Sequence, residues 1–152
     1  MKKLIFSKGR CGKILKKSES TALKKYAERA MEIAKIAKSG PVILSLATPN
    51  EIREIKKKFF GLDVTTDVIS FKYGPTSGQQ DVFAELIVCP HAAKKYAKEN
   101  SVSFIRELVL YAVHGILHIA GEDDSKPSEI SRMRKKEKMI MKRLCEEFPK
   151  LL

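Results

Sequence analysis

A chain of 152 residues has room for one domain with a real hydrophobic core, residues 1–152, and excludes two. With 43% hydrophobic and 32% charged residues, no apolar run of membrane-spanning length and no long apolar region at the start, it reads as soluble and cytosolic, without a span or signal peptide. A net charge of +12 attracts polyanions, although lysine-rich solvated faces give the same figure, so charge by itself favours a nucleic acid only modestly.

Residues 3–6 form the first expected strand, followed by a Gly- and Lys-rich turn through Gly12. Over 19–38, Leu23, Tyr26, Ala27, Ala30, Ile33, Ala34 and Ala37 recur at helical spacing and Ser39-Gly40 closes the run, which predicts an amphipathic helix covering a sheet. Its lysines read as solvated. The apolar run Val42-Ile43-Leu44-Ser45-Leu46 fits a buried strand. Thr48-Pro49-Asn50-Glu51 is a capping box with Pro at the first helical position, so a second helix runs from 49 to about 60. Lys56, Lys57 and Lys58 near its end suit the negative pole of the helix dipole.

Residues 67–73 and 82–89 are rich in Val, Ile and Phe and read as two strands. The polar stretch 74–80 between them makes a long antiparallel hairpin. Glu85 stands inside the second of these strands, where a carboxylate is costly unless paired. We expect it to be a partner of a ligand imidazole or a proton-transfer group. A short helix follows over 90–99, with His91 exposed in its first turn and not a ligand.

Ser101 or Ser103 caps the next helix, which is apolar nearly all round through Leu108, Val109, Tyr111, Ala112, Val113, Ile116, Leu117 and Ile119 and runs to Ala120. His114 and His118 are four apart on it, so one turn of helix aims both imidazoles at one point. Gly121 ends the helix by adopting the left-handed conformation, and the turn brings Asp123 or Asp124 round as a third ligand. Two histidines, one carboxylate and a water are a common way to hold catalytic zinc. The acidic triplet Glu122-Asp123-Asp124 would also neutralise the ion's charge. The zinc-protease helix places Glu directly after its first His; here that position is Gly115. Ser125 and Pro127 restart the chain as a last helix to about Phe148. Its buried stripe is Ile130, Met133, Ile140, Met141, Leu144 and Phe148, and its outer face carries Arg132, Arg134, Lys135, Lys136, Lys138, Lys142 and Arg143. That face suits RNA or a ribosome as well as plain solvent. Cys11, Cys89 and Cys145 are far apart and outside any C-x-x-C pair, which leaves no disulfide framework or thiolate zinc site to propose.

Four strands and about five helices predict an α+β fold, or α/β sandwich: a mixed four-stranded sheet with helices packed on it and a metal site at the end of a central buried helix. The run His114-Gly115-Ile116-Leu117-His118-Ile119-Ala120-Gly121-Glu122-Asp123-Asp124, with Ile52-Arg53-Glu54-Ile55, Thr66-Asp67-Val68-Ile69-Ser70-Phe71 and Glu85-Leu86-Ile87-Val88 before it, resembles the YbeY-type endoribonuclease family over about residues 40 to 145. The resemblance implies the same architecture and one zinc ion on His114, His118 and Asp124. It also implies single-stranded RNA cleavage in ribosomal RNA maturation and quality control, with the small ribosomal subunit and its proteins as partners. In that reading a bound water is the nucleophile, and Asp123 orients a ligand or shuttles a proton.

Three positions depart from the family pattern. Its third ligand is usually histidine and here is Asp124, an acceptable zinc ligand. Its Asn and activity-linked Arg before Thr-Asp-Val are Lys56 and Phe60, and its Gly-Asp before the last strand is Ala84-Glu85. Two rivals follow: a metallopeptidase, which Gly115 disfavours, and a non-catalytic ribosome-assembly factor with a structural metal, which Phe60 keeps open.

Overall fold

A computed structural model describes residues 4–74 and 82–149. The elements in order are β1 (Leu4–Ser7), α1 (Lys17–Ile33), β2 (Val42–Leu46), α2 (Pro49–Phe60), β3 (Val68–Lys72), β4 (Ala84–Val88), α3 (Pro90–Asn100), α4 (Phe104–Ile119) and α5 (Pro127–Glu147), with a short 3-10 turn, Gly9–Cys11, after β1. The sheet order is β1-β2-β4-β3. β1 and β4 each run parallel to β2, while β3 and β4 pair antiparallel, so the α+β sandwich with a mixed four-stranded sheet is the fold. The polar stretch expected to close the hairpin lies, from residue 75 on, outside the described residues.

Alternation along the strands decides which layer each side chain joins. Leu44, Leu86 and Val88 face the larger core, which α1, α4 and α5 complete through Leu23, Tyr26, Leu108, Val109, Ile116, Met133 and Leu144. Ile69, Ile87 and Cys89 face the other way, where α2 brings Ile52. Each buried Leu or Ile contributes about 1.5–3 kcal/mol relative to exposure, so the larger layer dominates stability. The helix carrying both histidines is central to that layer: α4 touches α1, α3, α5, β3 and β4. Arg29 of α1 clamps α5 through a two-pronged bond to Glu147, at 2.7 and 2.9 Å.

Local chemistry explains the boundaries. Thr48 and Glu51 form the expected capping box, each side chain meeting the other's backbone N–H. α1 stops at Ile33, short of residue 38, because Lys35 turns left-handed at φ 63°. The amides of Lys35 and Ile36 then close on the carbonyls of Glu32 and Met31, and Ile36 is buried beneath the turn. A lysine in that conformation carries no sequence signal comparable to Gly. Ile130 is exposed rather than part of the buried stripe of α5. Among the described residues no helix is long and apolar enough to cross a membrane.

Candidate metal centre

α4 starts where the Ser103 hydroxyl accepts the Arg106 amide at 3.3 Å, which selects Ser103 over Ser101 as the cap. The helix lies so close to the sheet that a Cβ on Gly115 would stand 2.5 Å from Leu86 Cδ2, 2.9 Å from Ser70 Oγ and 3.1 Å from Val68 Cγ2. Ser70 Oγ also donates to the Gly115 carbonyl at 3.1 Å. Val68 and Ser70, from the run Thr66-Asp67-Val68-Ile69-Ser70-Phe71, thus form with Leu86 the seat on which the His-Gly turn rests. With Gly115 against the sheet, His114 and His118 are half-buried at the adjoining surface of the helix.

Their Nε2 atoms are 3.0 Å apart, with the rings edge to face at 81°. Gly121, at φ 102°, ends the helix as expected, its amide and that of Glu122 closing on the carbonyls of His118 and Leu117. The chain turns back and Asp124 Oδ2 comes to 3.4 Å from His114 Nε2 and 3.5 Å from His118 Nε2. The three residues offer ligand atoms all within 4.8 Å of one another.

The tautomers follow from the other ring nitrogens. The Glu122 carbonyl lies 3.0 Å from His118 Nδ1 and can only accept, so that nitrogen carries the proton. Glu137 Oε1 lies 2.6 Å from His114 Nδ1, and an ionised carboxylate likewise only accepts. Two Nε2 lone pairs and a carboxylate oxygen therefore converge with no hydrogen between them when both rings are neutral. Only a cation relieves that crowding. A tetrahedral zinc with bonds of about 2.0–2.2 Å would set its ligand atoms roughly 3.3 to 3.5 Å apart, close to the separations found. Without a metal the same role falls to a proton, and His114 is accordingly held above the usual imidazole range, chiefly by its bond to Glu137 and further by the Asp124 and Asp67 charges, against the effect of burial.

The acidic triplet divides its work. Glu122 turns its carboxylate to Lys136 and to Arg132, at 3.0 Å from the latter, so it does not neutralise an ion at the imidazoles as expected. Those cations hold it below the usual carboxylate range, Lys136 foremost. Asp123 accepts the Asp124 amide at 2.8 Å and the Ser125 hydroxyl at 3.1 Å, and these bonds lower its pKa. Its action is thus on the backbone that carries Asp124.

Glu85 does not meet an imidazole. Alternation puts it on the sheet face opposite Leu86, which touches Gly115, and its carboxylate accepts the Tyr73 hydroxyl at 2.9 Å. The imidazole partner is Glu137, which no sequence argument singled out. Its spacing held the signal: Met133, Glu137, Ile140, Met141 and Leu144 follow one helical stripe, four of them buried and the fifth a carboxylate. His91 is half-buried, not exposed, and its Nδ1 is enclosed without a hydrogen-bond partner among the described residues. It is not part of the triad.

Two clefts flank the triad. One of about 490 Å³ is lined by Asp67, Tyr96, Glu107, Tyr111, His114, Asp124, Ile130 and Arg134, among others. The other, about 400 Å³, is lined by Lys56, Phe60, Thr66, Asp67, Ser70, His114, His118 and Asp124. Asp67, at the mouth of β3, borders both.

Two predictions arise here. Glu137→Gln replaces a carboxylate acceptor with an amide and should weaken metal binding by about 10- to 100-fold while the fold persists, read by competition with a chromophoric chelator. Glu122 has a folded pKa below its unfolded value of about 4.3, so its ion pairs stabilise the protein above that value and the contribution vanishes as pH falls through the folded pKa. Acid titration followed by circular dichroism should show a shallower loss of stability below pH ~5 for Glu122→Gln than for the native chain.

The family model described as Endoribonuclease YbeY matches residues 9–145. The chain is 38% identical over 122 residues to "Endoribonuclease YbeY" of Elusimicrobium minutum, covering 79% of each. It is 34% identical over 129 residues to the protein so named in Fusobacterium nucleatum, covering 81% of this chain and 80% of that one. The solution structure of TM1509 from Thermotoga maritima is similar with a TM-score of 0.64 at 27% identity, covering 96% of this chain and 91% of that one.

Proposed function

This chain belongs to the Endoribonuclease YbeY family, and on that premise we propose that it is a zinc-dependent endoribonuclease acting on single-stranded RNA in ribosomal RNA maturation and quality control. The observation that carries the reading is the convergence of His114 Nε2, His118 Nε2 and Asp124 Oδ2, at 3.0 to 3.5 Å, with both Nδ1 atoms engaged by acceptors. Two imidazoles and a carboxylate favour one Zn²⁺ over harder cations. Zinc there would lower the pKa of water towards neutrality and polarise a phosphoryl oxygen.

The chain's own residues supply orientation. Glu137 and the Glu122 carbonyl fix the tautomers that turn Nε2 inward. Asp123 holds the amide of Asp124 and so sets the reach of its carboxylate; it is a positioning residue. The flanking clefts give a strand a way in and out past the triad, and the net charge of +12 draws the phosphates. We take residues 1–152 to act as one domain, in the cytosol, with the small ribosomal subunit as partner.

The test compares zinc-loaded and chelator-treated protein on single-stranded RNA and on casein. Metal-dependent cleavage of RNA alone supports the reading. Casein cleavage would make the protein a peptidase. Sedimentation with small ribosomal subunits, without any cleavage of purified RNA, would leave an assembly factor whose metal is structural.

A further inference from the structure

The last turn of α2 carries Lys56, Lys57, Lys58, Phe59 and Phe60, and Gly61 stops it at φ 68°. Packing leaves this end unusually apolar at the surface: Phe59 is 60% exposed and Phe60 48%. Phe60 nevertheless has a fixed seat. Its ring lies nearly parallel to Phe71, at 18° and 6.0 Å between centroids, while Phe59 meets the same ring edge on at 5.2 Å. Phe71 follows Ser70, whose hydroxyl holds the Gly115 carbonyl, so the platform and the histidine helix rest on one strand. Lys56 Nζ stands 4.9 Å from the Phe60 centroid, and both residues line the cleft that contains His114, His118 and Asp124.

A rigid, half-exposed aromatic ring beside a cation, opening into a cleft with a hydrolytic metal set, is what a single strand of RNA needs on one flank of the broken bond. Aromatic rings stack bases of any identity, and ammonium groups take the phosphates. Lys56, on its flexible stem, can leave the ring for a phosphate when a base arrives. We propose that Phe60 is the stacking platform for one unpaired base beside the scissile phosphate, with Lys56 as its phosphate contact; this rests on the nuclease reading above. The platform also gives this chain a means of choosing single strands. A paired base within a helix has both faces covered by its neighbours, so only an unpaired one can lie on Phe60.

The test uses a short single-stranded oligoribonucleotide carrying 2-aminopurine at successive positions, titrated into chelator-treated protein, with cleavage by zinc-loaded protein measured separately. Quenching at one position is expected. Phe60→Ala should abolish it and weaken binding about 5- to 150-fold, the range that loss of one base–aromatic stack commands. Phe60→Tyr should keep both, and an abasic residue at that position should reproduce the Phe60→Ala loss in the native protein. Unchanged affinity and quenching in Phe60→Ala would overturn the platform even if cleavage persists. Quenching without cleavage would keep the platform and sink the nuclease. Altered self-association of Phe60→Ala in sedimentation velocity, with RNA binding intact, would assign the aromatic end to a protein contact and likewise overturn the proposal.

Discussion

His114→Ala combined with His118→Ala is expected to lose bound zinc and RNA cleavage together, each by more than about 10³-fold. The scale follows from what weaker changes do: loss of one hydrogen-bond partner behind a ligand histidine costs about 10- to 100-fold in metal affinity, and here two direct ligands go at once. Asp124 alone remains, a carboxylate 42% exposed in its side chain and free to turn to water. The fold should survive, because each imidazole is only partly enclosed and removing both also relieves the crowding of two Nε2 atoms 3.0 Å apart. Three measurements check this. Elemental analysis of chelator-free protein reads occupancy, and cleavage of a labelled oligoribonucleotide reads activity. Thermal unfolding with and without zinc reads linkage, since a ligand at 100 times its Kd stabilises the native state by about 2.7 kcal/mol. The native protein should show the upward shift and the double variant none. Stoichiometric zinc in the double variant would remove the triad from the mechanism.

How much of this was legible in the chain depends on the range of the interaction. The convergence of His114 and His118 is local, one turn of helix, and could be read directly; so could its end at Gly121, because a left-handed position there favours glycine. The choice between Asp123 and Asp124 was not local. It rests on which carboxylate the loop keeps for itself, and Asp123 spends its oxygen on the Asp124 amide and Ser125. Glu85 and Glu137 are both carboxylates among apolar neighbours, yet the sequence drew attention only to Glu85, and their roles differ. In β4 the two-residue period puts Glu85 on the face away from α4, where Tyr73 meets it. In α5 the helical period puts Glu137 against His114, and the lysines around it hid the stripe. The four strands were legible one by one, but the insertion of β4 between β2 and β3 was not, because pairing order is decided by contacts far apart in sequence. Phe60 announced itself only as a missing arginine; its seat on Phe71 required the packed strand.

Gly115→Ala is the second large effect, and its sign runs against helix propensity. In an exposed helix interior the change would stabilise by about 0.5–1 kcal/mol. At this position the new methyl would lie 2.5 Å from Leu86 Cδ2 and 2.9 Å from Ser70 Oγ. Leu86 is fully buried, so its Cδ2 can yield only within the packed core, and Ser70 is tied to the Gly115 carbonyl. Relief requires Leu86 and Ser70 to leave their places or α4 to move off β3 and β4, an overpacking cost of about 1–3 kcal/mol set against the propensity gain. The net loss, up to about 2.5 kcal/mol, should appear as a fall in Tm of up to about 10 °C for a chain of 152 residues, with a lower denaturant midpoint at unchanged m. Zinc affinity should fall as well, because the same displacement shifts His114 away from Asp124. A more stable Gly115→Ala would mean that helix and sheet are not in close contact here. The same crowding weighs against the protease analogy. The position where a zinc protease keeps its general base is, in this chain, pressed against Val68, Ser70 and Leu86, and a glutamate there would bury its charge in the sheet instead of presenting it beside the imidazoles.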